Sequence, residues 1–73
     1  MKLFILNDNV NTFDGVIESI QMCLNYPYMQ GASIAHIVHD VGECLVKESD
    51  DSELMAELYE CLVKSGINAK LEN

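Results

Sequence analysis

The sequence predicts an α+β fold in which three helices pack on one small antiparallel sheet. An apolar run opens the chain, apolar residues recur with helical spacing in three later segments, and an alternating apolar and polar segment closes it. The 73 residues, of which 49% are hydrophobic, are enough for one domain with a single core. We therefore expect residues 1–73 to form one compact domain with the element order βααβαβ.

The first strand and the first helix are predicted on either side of a polar loop. Lys2–Leu6 (KLFIL) is apolar on both alternating faces, so we expect a strand covered on both sides. Asn11 or Thr12 can cap the helix that follows. Gly15 in its first turn disfavours a helix by about 1 kcal/mol relative to Ala, and the sequence offers no reason for it. The apolar positions of this helix are Phe13, Val16, Ile17, Ile20, Cys23 and Leu24.

A second helix is expected to start with Pro27 in its first turn and to run to about Val41. Gly42 is a suitable residue to end it. The predicted core stripe consists of Ile34, Ile37 and Val41, and a second face carries Gly31, Ala35, Val38, His39 and Gly42. His36 and Asp40 are expected on a third side, which faces solvent.

The second half of the chain is predicted to be strand, helix, strand. Glu43–Glu48 has the composition of a short strand. The turn 49–52 is expected to end in the N-cap of a third helix, with Glu53 just inside it and Gly66 after it. Ile67–Glu72 alternates as a strand with one wet face, and it is expected to pair beside the first strand. The expected inner stripe of the third helix is Leu54, Leu58, Cys61, Leu62 and Ser65, widened by Met55 and Tyr59.

The charge and the cysteines limit the functional classes. Lys and Arg number 4 against 12 Asp and Glu, a net charge of −8, which argues against binding to nucleic acid or to an anionic membrane. The three cysteines, Cys23, Cys44 and Cys61, lack C-x-x-C spacing. They are expected to be reduced core residues and neither disulfides nor metal ligands. With no signal peptide or membrane span in the pattern, a cytoplasmic protein is expected.

The loop after the first strand holds more polar side chains than a strand-to-helix connection needs. One turn residue and one cap would be enough, and the chain supplies five: Asn7, Asp8, Asn9, Asn11 and Thr12. The surplus acceptors indicate a site for a cationic donor. A neutral His39 could add another acceptor, although a purely structural histidine explains the same residue. Phe13, Val16, Ala35 and Val38 could wall an apolar pocket beside it. An amine next to a hydrophobic side chain is the shape of a peptide N-terminus.

The motifs Asn7-Asp8-Asn9, Asn11 with Phe13, and Val38-His39-Asp40-Val41-Gly42 resemble those of the ClpS family of adaptors for AAA+ Clp proteases. The resemblance covers nearly the whole chain. It implies a ClpS-like fold, no enzymatic activity and no cofactor. It also implies two kinds of partner, which are the N-terminal peptides of substrate proteins (N-degrons) and the N-domain of a ClpA- or ClpC-like ATPase.

The resemblance also implies a role for each site residue. Asn7, Asp8 and His39 would hold the α-amino group of the substrate. Asn9 and Asn11 would shape the loop, which also contains Thr12, and bond the first peptide unit. Phe13 would be the gatekeeper that excludes β-branched N-terminal residues. The pocket for an N-terminal Phe, Tyr, Trp or Leu would be lined by Val16, Ala35 and Val38.

Two departures from the family pattern lead to a second hypothesis. Only one residue precedes the first strand, where family members usually carry an extension that the ATPase engages. Glu53 matches a glutamate that docks on the ATPase, but Glu57 or Leu58 stands where a lysine is expected. The alternative to delivery is therefore a divergent binder that inhibits, or that no longer delivers substrates.

Other functional classes of protein are supported only by single features of the sequence. Asp51-Ser52-Glu53-Leu54 is similar to the site where acyl carriers take phosphopantetheine on serine, although a helix cap explains it equally. A metal site from His36, His39 and Cys44 lacks a standard ligand spacing. A hydrolase is disfavoured because no serine or cysteine has an evident base and orienting partner.

Overall fold

The computed structural model describes residues 1–73 and contains three strands and three helices in the predicted order. β1 pairs antiparallel with both other strands, so that the sheet order is β2-β1-β3. This confirms the α+β class and the pairing of the closing strand beside the first. The elements are β1 (Lys2–Leu6), α1 (Phe13–Leu24), α2 (Tyr28–Val41), β2 (Glu43–Glu48), α3 (Ser52–Lys64) and β3 (Ala69–Glu72).

The central strand is covered by the helices on one face only. Leu3 and Ile5 are fully buried and belong to the hydrophobic core. Phe4 points to the opposite face and is only half-buried, with Lys70 Nζ lying 4.9 Å from the centre of its ring. The expectation that β1 is covered on both sides was wrong, because the ammonium group of Lys70 and not a helix lies over this second face.

The core lies where the inner faces of the helices meet the sheet. Its fully buried members are Leu3, Ile5, Ile20, Met55 and Leu62. On α2 the buried residues are Gly31, Ile34, Ala35 and Val38. Ile37 and Val41, which were expected in the core stripe, are 44% and 73% exposed. The helix is rotated toward its second apolar face because the small Gly31 and Ala35 allow a closer approach there.

The buried face of α3 also differs from the apolar stripe that was predicted for it. Met55 and Leu62, seven residues apart, are its two buried residues. Leu54 is exposed, and Leu58 and Tyr59 are half-buried against the core. Both Leu54 and Met55 fit an apolar helical stripe, so periodicity alone could not decide which of them faces the sheet.

The ends of the helices follow the chemistry of short polar side chains. Thr12 caps α1 by accepting a hydrogen bond from Gly15 N–H at 3.0 Å. A Cβ at Gly15 would lie 3.1 Å from Thr12 Oγ1, which accounts for the glycine in this first turn. The cap of α3 is Asp51 and not Ser52, since its carboxylate accepts from Leu54 N–H. Pro27 is the residue before α2 and not part of its first turn.

Glycine at position 31 brings α1 and α2 together. A Cβ on Gly31 would lie only 3.3 Å from Ile17 Cγ2, so a larger residue would require the Ile17 side chain to shift. The chain enters this pair through Asn25, which ends α1 in the left-handed conformation with φ 58°. The close contact fixes the position of the N-terminus of α1 over α2.

A disulfide joins α1 to α3. Cys23 and Cys61 are bonded with a Cα–Cα distance of 5.7 Å, which lies in the usual range. The expectation that all cysteines are reduced was wrong for this pair, because residues 38 apart in sequence become neighbours only after the helices pack. Cys44 is free, and burial raises the pKa of its thiol.

Candidate functional site

The polar loop begins where the central strand is held from both sides. Leu6 N–H donates to Asn68 O, and Asn7 N–H donates to Gly42 O, both at 2.8 Å. Gly42 follows α2 directly, so this second bond fixes Asn7 next to the C-terminal end of that helix. His39 lies one turn before Gly42. The sheet thus brings together the Asn and the His that are 32 positions apart in the sequence.

The loop is organised around the carboxylate of Asp8. Its Oδ1 accepts hydrogen bonds from Val10 N–H at 3.0 Å and from Asn11 N–H at 2.9 Å. Its Oδ2 accepts from Asn11 Nδ2 at 2.8 Å. The same Nδ2 donates to Gly66 O at 2.8 Å, which ties the loop to the turn between α3 and β3. Asp8 therefore has a structural role that the sequence did not predict.

The bonds to Asp8 keep it charged. Hydrogen bonds from the backbone of Asn11, from the side chain of Asn11 and from the backbone of Val10 lower the pKa of the Asp8 carboxyl below its usual value of 3.8. Both lone pairs of Oδ1 are used by the loop, whereas Oδ2 retains one. The amide of Asn11 has likewise used both of its N–H groups, which leaves its oxygen free to accept.

All ten residues that the sequence singled out for substrate binding line one pocket of about 270 Å³. The floor is apolar and consists of Ala35 and Val38, which are buried, with the half-buried Val16 beside them. Polar side chains occupy the opposite rim, with His39 exposed at one end of it. The polar lining residues are Asn7, Asp8, Asn9, Asn11, Thr12 and His39.

Phe13 stands at the edge of this pocket between two histidines. Its ring is 37% exposed and lies edge-on to His39, with 6.3 Å between ring centroids. It is closer to His36, at 4.7 Å and an interplanar angle of 67°. His36 was expected on a solvated side of α2, and its contact with Phe13 was not predicted from the sequence. The spacing of three residues between His36 and His39 was the available signal, since it places them on adjoining positions of a helix.

The remaining candidate residues lie apart from the pocket. Glu53 is exposed in the first turn of α3. Ser52 begins that helix, and its hydroxyl is not the cap. His36, His39 and Cys44 do not form a metal site, since no group of three or more His, Cys, Asp or Glu side chains is arranged to hold an ion. None of the three helices has the length and hydropathy needed to span a membrane.

The sequence of the chain also matches a known protein family. The sequence profile of the family described as ATP-dependent Clp protease adaptor protein ClpS matches residues 1–66. The chain belongs to the ClpS family. No curated protein matches it.

Membership of the ClpS family defines the general role of the chain. ClpS proteins are adaptors of an ATP-dependent Clp protease, and the family is one of adaptors and not of proteases. The partners in general terms are therefore a Clp ATPase and its substrates. The acyl-carrier alternative at Ser52 is not supported, because the carrier fold is all-helical and this chain has a three-stranded sheet.

Proposed function

We propose that this ClpS-family protein binds the free α-amino group and the bulky hydrophobic first residue of N-degron substrates and directs them to a Clp AAA+ protease. The observation that carries the proposal is one pocket with an acceptor-rich rim and an apolar floor. A peptide N-terminus presents a cationic amine one carbon away from a side chain. The two halves of the pocket match these two groups.

The rim can hold the ammonium group. The carboxylate of Asp8 supplies the negative charge, and its remaining lone pair on Oδ2 is available to an incoming donor. Asn7 Oδ1 and a neutral His39 ring nitrogen supply further acceptors at the same edge. Charge-assisted hydrogen bonds of this kind are stronger than neutral ones. An acetylated N-terminus lacks the charge and two of the three protons.

The floor can take the side chain. The side chains of Val16, Ala35 and Val38 offer only hydrocarbon groups, so that burial of an N-terminal Phe, Tyr, Trp or Leu replaces water against an apolar surface. Ala35 gives this part of the pocket extra depth. Phe13 at the edge restricts side chains that branch at Cβ, the carbon nearest the rim.

Delivery requires a second surface, and we propose that Glu53 belongs to it. This glutamate is exposed on α3 and lies outside the pocket, so it can contact the N-domain of a ClpA- or ClpC-like ATPase while a peptide is bound. The same helix surface also carries Glu57 and Glu60. This acidity supports the second candidate function, a divergent adaptor that binds substrates or ATPase without delivering them.

The primary test is fluorescence anisotropy of labelled peptides that differ only at the first position: Phe, Leu, Val and acetylated Phe. Phe and Leu should bind, and Val and acetyl-Phe should not. Asp8→Ala and His39→Ala should abolish binding, and Asp50→Ala, which removes an exposed carboxylate outside the pocket, should not. Equal binding of free and acetylated Phe would overturn the proposal.

A degradation assay separates the two candidate functions. A folded substrate bearing an N-terminal Phe is incubated with a Clp ATPase and its peptidase, with and without the adaptor. Faster degradation would show delivery. Peptide binding with no acceleration, or with slower degradation, would identify the chain as an inhibitor.

A further inference from the structure

We infer that His36 is a positioning residue that sets the selectivity of the pocket by holding the ring of Phe13. The inference rests on the proposed function, since it concerns which N-terminal residues enter the same site. His36 does not itself line the pocket. It acts through the aromatic ring that does.

The contact between the two rings has the geometry of a favourable aromatic pair. Their centroids are 4.7 Å apart and their planes are inclined by 67°. Edge-to-face pairs with centroids 4.5–7 Å apart are more stable than their buried area alone implies. The second contact, to His39, is longer at 6.3 Å. His36 is therefore the nearer of the two aromatic partners of Phe13.

Phe13 is not held by the hydrophobic core. It is the first residue of α1, it is 37% exposed, and it is not among the residues that pack against the core. Contacts near the surface must therefore fix its rotamer. The aromatic contacts of Phe13 are made with His36 and His39 on the surface of α2.

The position of this ring decides how wide the entrance is. Phe13 is an exposed lining residue of the pocket, whereas Ala35 and Val38 are buried, so its ring lies nearer to solvent than the floor does. A substrate residue branched at Cβ has its bulk near the backbone, at the level of the rim, whereas Leu and Phe carry theirs deeper. When the Phe13 ring is fixed, it excludes N-terminal residues that branch at Cβ and admits Leu and Phe. When the Phe13 ring is released from His36, it swings outward, and the pocket admits Cβ-branched residues as well as Leu and Phe.

The experiment measures Kd for peptides beginning with Leu, Phe, Ile or Val, with wild type and with His36→Ala, His36→Gln and His36→Phe. The ratio of the Ile to the Leu dissociation constant is the readout, because partial unfolding changes both constants equally and leaves the ratio unaltered. Ile37→Ala removes an exposed neighbour on the same helix that does not line the pocket, and it is the control.

We expect His36→Ala and His36→Gln to reduce the Ile-to-Leu ratio roughly 2- to 10-fold, the range that corresponds to one aromatic pair. His36→Phe, which keeps a ring at this position, should restore the wild-type ratio, and Ile37→Ala should leave it unchanged. An unchanged ratio in both non-aromatic variants, with wild type still preferring Leu, would overturn the role of His36 alone. Failure of wild type to bind any free N-terminus would overturn the proposed function and this inference with it.

Discussion

Asn11 is bonded to Asp8 twice, through its backbone N–H to Oδ1 at 2.9 Å and through its side-chain Nδ2 to Oδ2 at 2.8 Å. The same amide reaches Gly66 O, so one side chain holds the loop to the end of α3. Asp8 is thus oriented toward the pocket by a residue three positions later. Affinity for the ammonium group should depend on this orientation as well as on the charge.

The first prediction therefore concerns Asn11→Ala. The substitution removes the two side-chain hydrogen bonds, and we expect peptides with a free N-terminal Phe to bind about 10-fold more weakly, which is the effect of losing one or two hydrogen bonds of ordinary strength. Anisotropy titrations measure the change. Asn68→Ala is the matched control, because Asn68 bonds to Leu6 through its backbone carbonyl and not through its side chain. Equal affinity of Asn11→Ala and wild type would contradict the role of the loop bonds.

The second prediction concerns the stability of the loop at acidic pH. The pKa of Asp8 is lower in the folded chain than its usual value of 3.8, chiefly because Asn11 N–H donates to it. Its stabilising contribution is therefore fully present above about pH 4 and is lost as the pH falls through the lower, folded-state pKa. The free energies of urea unfolding of wild type and Asp8→Asn should differ at pH 6, and the difference should shrink as the pH falls below 3.8. A difference in the free energy of unfolding that stays the same at every pH would contradict the stabilising role of the Asp8 carboxylate.

The sequence predicted the parts of this structure that depend on local chemistry. The loop from Asn7 to Thr12 and the end of α2 at Gly42 follow from the preferences of individual residues, and the cap at Thr12 was one of the two that these preferences allowed. The ten residues expected to bind substrate, from the residue pattern and from the family resemblance, line one pocket. Whether these residues bind a peptide remains a prediction.

The sequence could not predict features that depend on the rotation and contact of packed elements. Ile37 and Ile34 are equally apolar, and only the close approach at Gly31 decides that Ile34 faces inward. The disulfide between Cys23 and Cys61 depends on the packing of α1 against α3. The contact of His36 with Phe13 depends on where α1 begins over α2.

The third prediction concerns that disulfide. A bond that closes a loop of 38 residues restricts the unfolded chain by about 4 kcal/mol in the chain-entropy treatment. Reduction, or the double variant Cys23→Ser with Cys61→Ser, should lower the free energy of unfolding by up to about this amount. Chemical denaturation measures it. The control variant Cys44→Ser removes only the free thiol, so reduction should still lower its free energy of unfolding. Mass spectrometry that finds three alkylatable thiols in the unreduced folded protein would contradict the bond.

The fourth prediction concerns docking on the ATPase. Glu53→Lys reverses an exposed charge and should weaken binding of the Clp N-domain by about 10-fold, without changing peptide affinity. Glu57→Lys restores a lysine near the position where the family pattern has one, and it should strengthen binding. Glu18→Lys makes the same charge change on α1 and should affect neither. Calorimetry with the isolated N-domain distinguishes these outcomes, and a loss common to Glu53→Lys and Glu18→Lys would indicate net charge alone.

The fifth prediction concerns the depth of the pocket at Ala35. This residue is 3% exposed and forms the floor next to Val38. Ala35→Met extends a flexible apolar side chain into the space that an aromatic N-terminal residue would occupy. We expect the affinity for Trp and Phe peptides to fall about 10-fold and the affinity for Leu peptides to fall less, because the longer substrate side chains lose more buried surface.

The comparison between peptides separates a shallower pocket from a damaged one. Overpacking that only destabilises the domain would lower the apparent affinity for every peptide by the same factor. Ala56→Met places the same side chain on the exposed surface of α3 and should leave all affinities unchanged. A uniform loss in Ala35→Met, with Trp and Leu peptides affected equally, would show that Ala35 contributes to packing and does not set the size of the residue that is recognised.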